Sequence, residues 1–248
     1  MPSQTKAENP RLSPVLADWW RESVARAGVG PTLRCLAREL WDFVLESTPG
    51  RRRRRYGDVE FDWNHRVDTT SATVAWRDRL LGTFLSAYQA TEPAAFREML
   101  DSLAIDFREF TFVDLGSGKG RTLLMASEYP FRRVVGVELL PALHRIAQEN
   151  ISKYKRETQK CFAIDSVNAD ARAFSFPAEP MVLYLFNPLP ESGLMRVLDN
   201  LEISLREHPR AVYVLYHNPV LEEVLAGRAT LRKIDQREQW CVYGSRLQ

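Results

Sequence analysis

The chain offers almost no cysteine chemistry. Its 248 residues include three cysteines, Cys35, Cys161 and Cys241, at unrelated spacings. There is no CxxC pair, so the sequence shows neither a disulfide framework nor a cysteine-built metal site. Cys161 and Cys241 lie in apolar runs, as buried free thiols of a reducing compartment do. Long hydrophobic runs are lacking too. No uninterrupted stretch approaches the roughly 20 residues of a membrane span. The first ten residues, Met-Pro-Ser-Gln-Thr-Lys-Ala-Glu-Asn-Pro, lack the apolar core of a signal peptide. Nor is there an excess of one charge: 34 basic against 32 acidic residues leave a formal +2, which creates no global field demanding nucleic acid or a membrane. No cluster of metal-ligating residues stands out, so no metal is implied. The expectation is a soluble, cytoplasmic protein. An apolar fraction of 45% suffices for a core, and the length suits one sizeable domain or one domain with an appended lobe.

The most informative stretch is residues 111–121, Thr-Phe-Val-Asp-Leu-Gly-Ser-Gly-Lys-Gly-Arg. A β-prone apolar segment ends in Asp114. Gly116, Gly118 and Gly120 follow at alternate positions, and Arg-Thr-Leu-Leu-Met-Ala-Ser-Glu then has helical spacing. This predicts a buried strand, a tight glycine turn and a helix start. Such a turn lets a ligand lie against the main chain, and the helix points its free N–H groups at the same place. A phosphate-binding P-loop would need glycine five residues before the Gly118-Lys119 pair, where Val113 stands. A dinucleotide fingerprint would need its third glycine where Arg121 stands, so that match fails by one residue.

The next strands each end in a polar group. Arg-Val-Val-Gly-Val-Glu over 133–138 is a second apolar strand ending in Glu138, followed by Leu139. It is spaced for a carboxylate that accepts both hydroxyls of a ribose. A third segment closes on Asp170, and Met-Val-Leu-Tyr-Leu-Phe over 181–186 ends in Asn187-Pro188-Leu189-Pro190.

The Asp-x-Gly-x-Gly-x-Gly loop, the two acids and the strand-end Asn-Pro resemble the motifs of class I S-adenosylmethionine (SAM) methyltransferases over residues 88–245. The resemblance implies SAM as cofactor, with Asp114, Gly116, Ser117, Gly118 and Gly120 along its methionine part. It also implies Glu138 and Leu139 at the ribose, Asp170 accepting the adenine amino group, and Asn187 at the reacting end. Asp-Leu-Gly-Ser-Gly-Lys-Gly-Arg, Gly136-Val-Glu138-Leu139, Asn187-Pro188 and Tyr216-His217-Asn218-Pro219 are closest to a bacterial group of unassigned substrate. The SAM motifs alone are also similar to those of the non-SET lysine methyltransferases of histone or mitochondrial protein. DNA and glutamine amino-methyltransferases carry Asn/Asp-Pro-Pro-Tyr/Phe. Here Leu189 and Pro190 hold the last two places, so the aromatic that would stack a base is missing.

Strands are predicted near 110–115, 133–138, 161–167, 181–186 and 211–217. Helices are predicted near 121–129, 141–155, 191–206 and 219–226. Residues 231–235 and 239–243 read as a closing hairpin. Such alternation gives right-handed crossovers and a largely parallel sheet. The fold expectation is α/β: a Rossmann-like seven-stranded class I methyltransferase sheet with an N-terminal helical extension. The predicted division is 1–55 for that extension and an arginine-rich linker, 56–108 for a segment capping the substrate entrance, and 109–248 for the SAM-binding domain.

In the extension, Ser13-Pro14 reads as an N-cap and first helical residue. A break at Gly28-Val29-Gly30-Pro31 precedes a second helix with Leu33, Leu36, Leu40, Trp41, Val44 and Leu45 on one side. That stripe packs either on the catalytic domain or on a second chain. Arg51, Arg52, Arg53, Arg54 and Arg55 form either a solvated linker or a grip on phosphates. Residues 61–65 and 67–71 read as loop, and 73–88 can hold a helix. Tyr88 and Thr91 are candidates to line the substrate entrance, Thr91 equally as staple and N-cap of the helix after Pro93.

Catalysis would rest mainly on holding nucleophile, methyl and sulfur in line. Asn187, through its side-chain oxygen, and Pro188, through the strand-end carbonyl, are the candidates for accepting the N–H groups of an amine. His217 is either a general base or a cap of the Asn218-Pro219 turn. The expected activity is methyl transfer to a nitrogen of a protein side chain or small molecule. An RNA or DNA methyltransferase, resting on the arginine run, and a non-catalytic SAM-binding or scaffolding module are the alternatives.

Overall fold

The computed structural model describes residues 12–46, 59–70, 89–187 and 189–246. The described residues fall into two compact units, one within Glu8–Ala90 and one within Thr91–Gln248.

In the first unit, α1 (Leu12–Ala27) and α2 (Val29–Glu46) are separated by the single residue Gly28. Gly28 has φ +83, a conformation that ends a helix at little cost only for glycine. The predicted break is therefore one residue long, and Gly30 and Pro31 lie in the first turn of α2. Helix α1 begins at Leu12, so Ser13 is inside the first turn rather than its cap. On α2, Leu33, Leu40 and Trp41 are exposed and Leu36 is half-buried. The side chains of Val44 and Leu45 lie outside the described residues, as do residues 51–58 and 71–88, including the arginine run and Tyr88. Residues predicted as loop form α3 (Val59–His65). The buried Asp62 carboxylate accepts the backbone N–H groups of Thr69 (2.7 Å) and Thr70 (2.9 Å) and the Thr69 hydroxyl. These bonds tie the helix to the segment that follows it.

In the second unit, α4 (Pro93–Asp101) precedes β1 (Thr111–Leu115), α5 (Arg121–Ala126), β2 (Arg133–Glu138), α6 (Pro141–Lys153) and β3 (Ile164–Asn168). Then come β4 (Met181–Leu185), α7 (Glu191–Glu207), β5 (Val212–His217), α8 (Glu222–Ala226), β6 (Leu231–Gln236) and β7 (Trp240–Ser245). The seven strands are ordered β3-β2-β1-β4-β5-β7-β6. All pairings are parallel except those of β7, which runs antiparallel to β5 and β6. The class I methyltransferase sheet is thus present in full.

β1 and β4 are buried at every position, as strands covered on both faces must be; β4 reads as a continuous apolar run, and β1 is interrupted by Asp114. One face carries Val113, Leu115, Leu183 and Leu185 against Leu194, Val197, Leu198 and Leu201 of α7. On the other, Phe112 and Tyr184 meet Phe96 of α4 edge-on, with centroids 5.8 and 5.5 Å away, and lie tilted to each other at 6.2 Å. The edge strand β6 is largely exposed, and its Arg232 and Lys233 blunt it against pairing with another chain.

Boundary differences have local causes. β3 starts at Ile164 rather than 161 because the Lys160 and Cys161 amides are bonded to the Ser127 carbonyl (2.8 and 2.9 Å). Helix α5 stops at Ala126, where the Ser127 hydroxyl turns back to the Leu124 carbonyl. Helix α8 starts three residues late because the Val220 amide closes a turn on the Asn218 carbonyl.

Candidate active site

The parallel strands deliver their carboxyl ends to one edge, where the order reverses between β1 and β4; ligands bind such sheets there. Asp114, Glu138, Asn168, Asn187 and His217 lie at or just past those ends.

The glycine loop is built as the spacing predicts. Gly116, Gly118 and Gly120 have φ of +83, +53 and +83, all left-handed. The Gly116 and Ser117 amides both bond to the Val137 carbonyl (2.8 and 3.1 Å), which fastens the loop to β2. The Gly118 amide is taken by Glu138 Oε2 at 2.8 Å, and Glu138 Oε1 accepts the Leu140 amide at 2.7 Å. One buried carboxylate thus ties the glycine loop to the turn after β2. Leu139 is half-buried beside it.

Asp114 is almost wholly buried and accepts the Thr122 hydroxyl. Burial pushes its pKa up to about 7; the Thr122 bond opposes this and the Glu138 charge adds to it. Asp170 lies two residues past the end of β3, and its carboxylate holds the Arg172 backbone amide (2.9 Å) and guanidinium (2.7–3.0 Å). Burial works to raise its pKa, but those Arg172 bonds, with the charges of Arg172 and Arg196, outweigh it and hold the group below the usual range.

Asn168 is a candidate site residue that the sequence reading missed. Its Nδ2 donates to the carbonyls of Glu138 (2.8 Å) and Leu139 (3.1 Å), bracing the turn that carries the Glu138 carboxylate. Its buried Oδ1 and the Ser117 Oγ make no hydrogen bond. The signal available was its place, a polar residue closing β3 directly opposite Glu138 in the register.

At the end of β4, Asn187 has φ +45. Its Nδ2 donates to the Asn218 carbonyl (2.6 Å), and its Oδ1 accepts the Tyr216 hydroxyl (2.8 Å). A carbonyl can only accept, so this pair fixes which way the amide faces. Pro188 lies outside the described residues. His217, 6% exposed, does not cap the Asn218-Pro219 turn: the Asn218 amide goes to the Gln239 carbonyl (2.6 Å). The imidazole instead stacks on Phe186, centroids 4.1 Å apart, and meets the Tyr184 hydroxyl at Nδ1 (2.9 Å). Burial lowers its pKa to about 4. Thr91 is not the N-cap of α4; Glu92 holds that position, without a side-chain bond, and the Thr91 hydroxyl meets that of Tyr184 at 3.0 Å. Among the described residues, no group of acids, histidines and cysteines is arranged to hold a metal ion, and no helix is long and apolar enough to cross a membrane.

A seven-stranded sheet of this order, with a glycine loop after β1 and a ribose-type acid closing β2, defines the class I SAM-dependent methyltransferases. A family model described as "Histone methylation protein DOT1" matches residues 84–187, less than half of the chain. No curated protein sequence matches. Similar solved structures include the 23S rRNA methyltransferase ErmE, 14% identical over 64% of this chain and 69% of that one, with TM-score 0.45. An RNA methyltransferase from Salinibacter ruber in complex with S-adenosyl-L-homocysteine is 23% identical over 64% and 94%, with TM-score 0.39. A ribosomal protein L11 methylase from Lactobacillus delbrueckii subsp. bulgaricus is 16% identical over 60% and 74%, with TM-score 0.42. The chain is a SAM-dependent methyltransferase of class I, and SAM is its cofactor. The loop and the buried Ser117 and Asn168 oxygens, which make no hydrogen bond among the described residues, fit that molecule.

Proposed function

We propose that the enzyme methylates a nitrogen, on a protein side chain or a small molecule, at the carboxyl ends of β4 and β5. The observation carrying this reading is the Asn187 amide just past the end of β4, fixed with its Nδ2 as donor and its Oδ1 as acceptor. SAM supplies a methyl group already activated on sulfonium. The chain's task is then to aim a nitrogen lone pair, and a hydrogen bond accepted by Asn187 Oδ1 does so by holding an N–H group. In this reading Gly116, Ser117, Gly118, Gly120 and Asp114 cradle the methionine part, Glu138 and Leu139 the ribose, and Asp170 with Asn168 the adenine. The DOT1 match favours a protein nitrogen over a free metabolite.

The test is calorimetric titration with SAM and S-adenosylhomocysteine, followed by labelled-methyl transfer into fractions of a cell extract. The expected result is binding of both ligands by the wild type and loss in Glu138→Ala and Gly118→Arg. Folded variants that bind as the wild type does would sink the site assignment. Binding without transfer to any fraction would turn the reading toward a SAM-binding module.

A further inference from the structure

Thr91, Tyr184 and His217 form an unbranched buried chain of hydrogen bonds across three elements: the segment before α4, β4 and β5. The Thr91 hydroxyl meets the Tyr184 hydroxyl at 3.0 Å, and the Tyr184 hydroxyl meets His217 Nδ1 at 2.9 Å. Thr91, Tyr184 and His217 are 3%, 1% and 6% exposed. The proton positions follow from accounting. A buried hydroxyl proton without an acceptor is costly. Among the described residues, the only acceptor the Thr91 hydroxyl proton has is the Tyr184 oxygen, so Thr91 donates to Tyr184. The Tyr184 proton must then go to Nδ1. A neutral imidazole that accepts at Nδ1 carries its proton on Nε2. The opposite direction would strand the Thr91 proton.

We propose that Thr91 and Tyr184 are positioning residues that hold His217 as the Nε2–H tautomer. On the reading that this edge is the methyl-acceptor site, His217 therefore serves as a hydrogen-bond donor to the incoming molecule and not as its proton acceptor. The remaining ring edge is an N–H, so it recognises an oxygen or an unprotonated nitrogen and repels an ammonium. Phe186, the residue before Asn187, stacks on the ring and holds its plane. The site then offers a donor, His217 Nε2–H. Taking a second proton would require Nδ1 to displace the Tyr184 proton, and burial independently lowers the imidazole pKa.

The experiment is nitrogen-15 NMR of the histidine rings in the full chain near neutral pH, in wild type and Tyr184→Phe, with S-adenosylhomocysteine titrated separately. The expected result is one His217 tautomer with the proton on Nε2 in the wild type, and loss of that single tautomer in Tyr184→Phe. A proton on Nδ1, or a mixture, in the wild type overturns the inference; so does a tautomer unchanged in a folded Tyr184→Phe. Should that variant not fold, a Tyr184 hydroxyl proton correlated to Nδ1 in the wild type decides in favour, and its absence against. The titration separates the two readings: an Nδ1–H ring in a protein that binds S-adenosylhomocysteine defeats only the tautomer. An Nε2–H ring in a protein that binds neither SAM nor its product defeats only the site reading.

Discussion

Asp114 keeps its proton in a range where carboxyl groups are ordinarily ionised. The folded state holds that proton up to about pH 7, whereas the unfolded chain releases it near ~4. Between those values the folded state binds more protons, so this group's contribution to stability is full in acid and lost as pH rises through 7. His217 has the opposite sign. Its pKa is lowered to about 4, so between that value and ~6.5 the unfolded state binds more protons and stability from this residue rises with pH. Comparing wild type with Asp114→Asn isolates the aspartate, since His217 is common to both and asparagine still accepts from Thr122. Denaturant unfolding should find Asp114→Asn the more stable above pH 7, by an amount of the order of a few kcal/mol. The advantage should shrink toward pH 4, and a difference that stays flat with pH would mean that Asp114 is ionised throughout. A second single-residue test concerns the Asn187 amide. Tyr216→Phe removes the hydroxyl that holds its oxygen and also accepts the Leu221 amide at 3.3 Å. If transfer depends on that orientation, kcat for any identified acceptor should fall ~10-fold or more while calorimetric SAM affinity stays unchanged.

Gly136, in the middle of β2, shows how a strand and a loop share space. A Cβ there would lie 2.6 Å from both Leu123 Cδ1 and Ser117 Oγ, and 2.8 Å from Ser117 Cβ. The glycine loop and the first turn of α5 pack directly on the β2 backbone, which is why an apolar strand tolerates this residue at its centre. Gly136→Ala should cost about 1–3 kcal/mol through overpacking, and displacement of Ser117 should weaken S-adenosylhomocysteine binding in the same variant. Unchanged calorimetric affinity would detach Ser117 from the site. The same elements show what the sequence made legible. Asp114, the glycines and Glu138 could be read because each follows an apolar run whose end is visible in one dimension. The braces could not. Tyr184 and Tyr216 sit in runs that read as core, and their partners lie 33 and 29 residues away on the neighbouring strand. Their polar ends find a use only once β4 and β5 pair. Helix α3 was hidden for a similar reason: Asp62 caps Thr69 and Thr70 seven and eight residues on, a closure no local periodicity reports.

At the scale of the whole chain, the candidate cofactor residues fall in one unit, and the arginine run precedes that unit in sequence. Every candidate SAM-binding residue from Asp114 to Asn187, the seven strands and the aliphatic core against α7 belong to Thr91–Gln248. A fragment beginning at Thr91 should therefore unfold cooperatively and bind S-adenosylhomocysteine, as measured by denaturant titration and calorimetry. Loss of binding in a folded fragment would show that the first ninety residues contribute to the cofactor site. The same fragment separates the acceptor classes. The formal charge of +2 gives no long-range pull on a polyanion, so any affinity for single-stranded RNA must be concentrated in Arg51, Arg52, Arg53, Arg54 and Arg55. Five such contacts limit the salt dependence to a slope of about −3.5 in log affinity against log salt. RNA binding by the full chain should show no steeper slope, and it should vanish both in the fragment and when the five arginines are replaced by alanine. RNA retained by the fragment would instead place a nucleic-acid surface on the catalytic unit itself, and the acceptor would then have to be sought among RNA nitrogens rather than in protein.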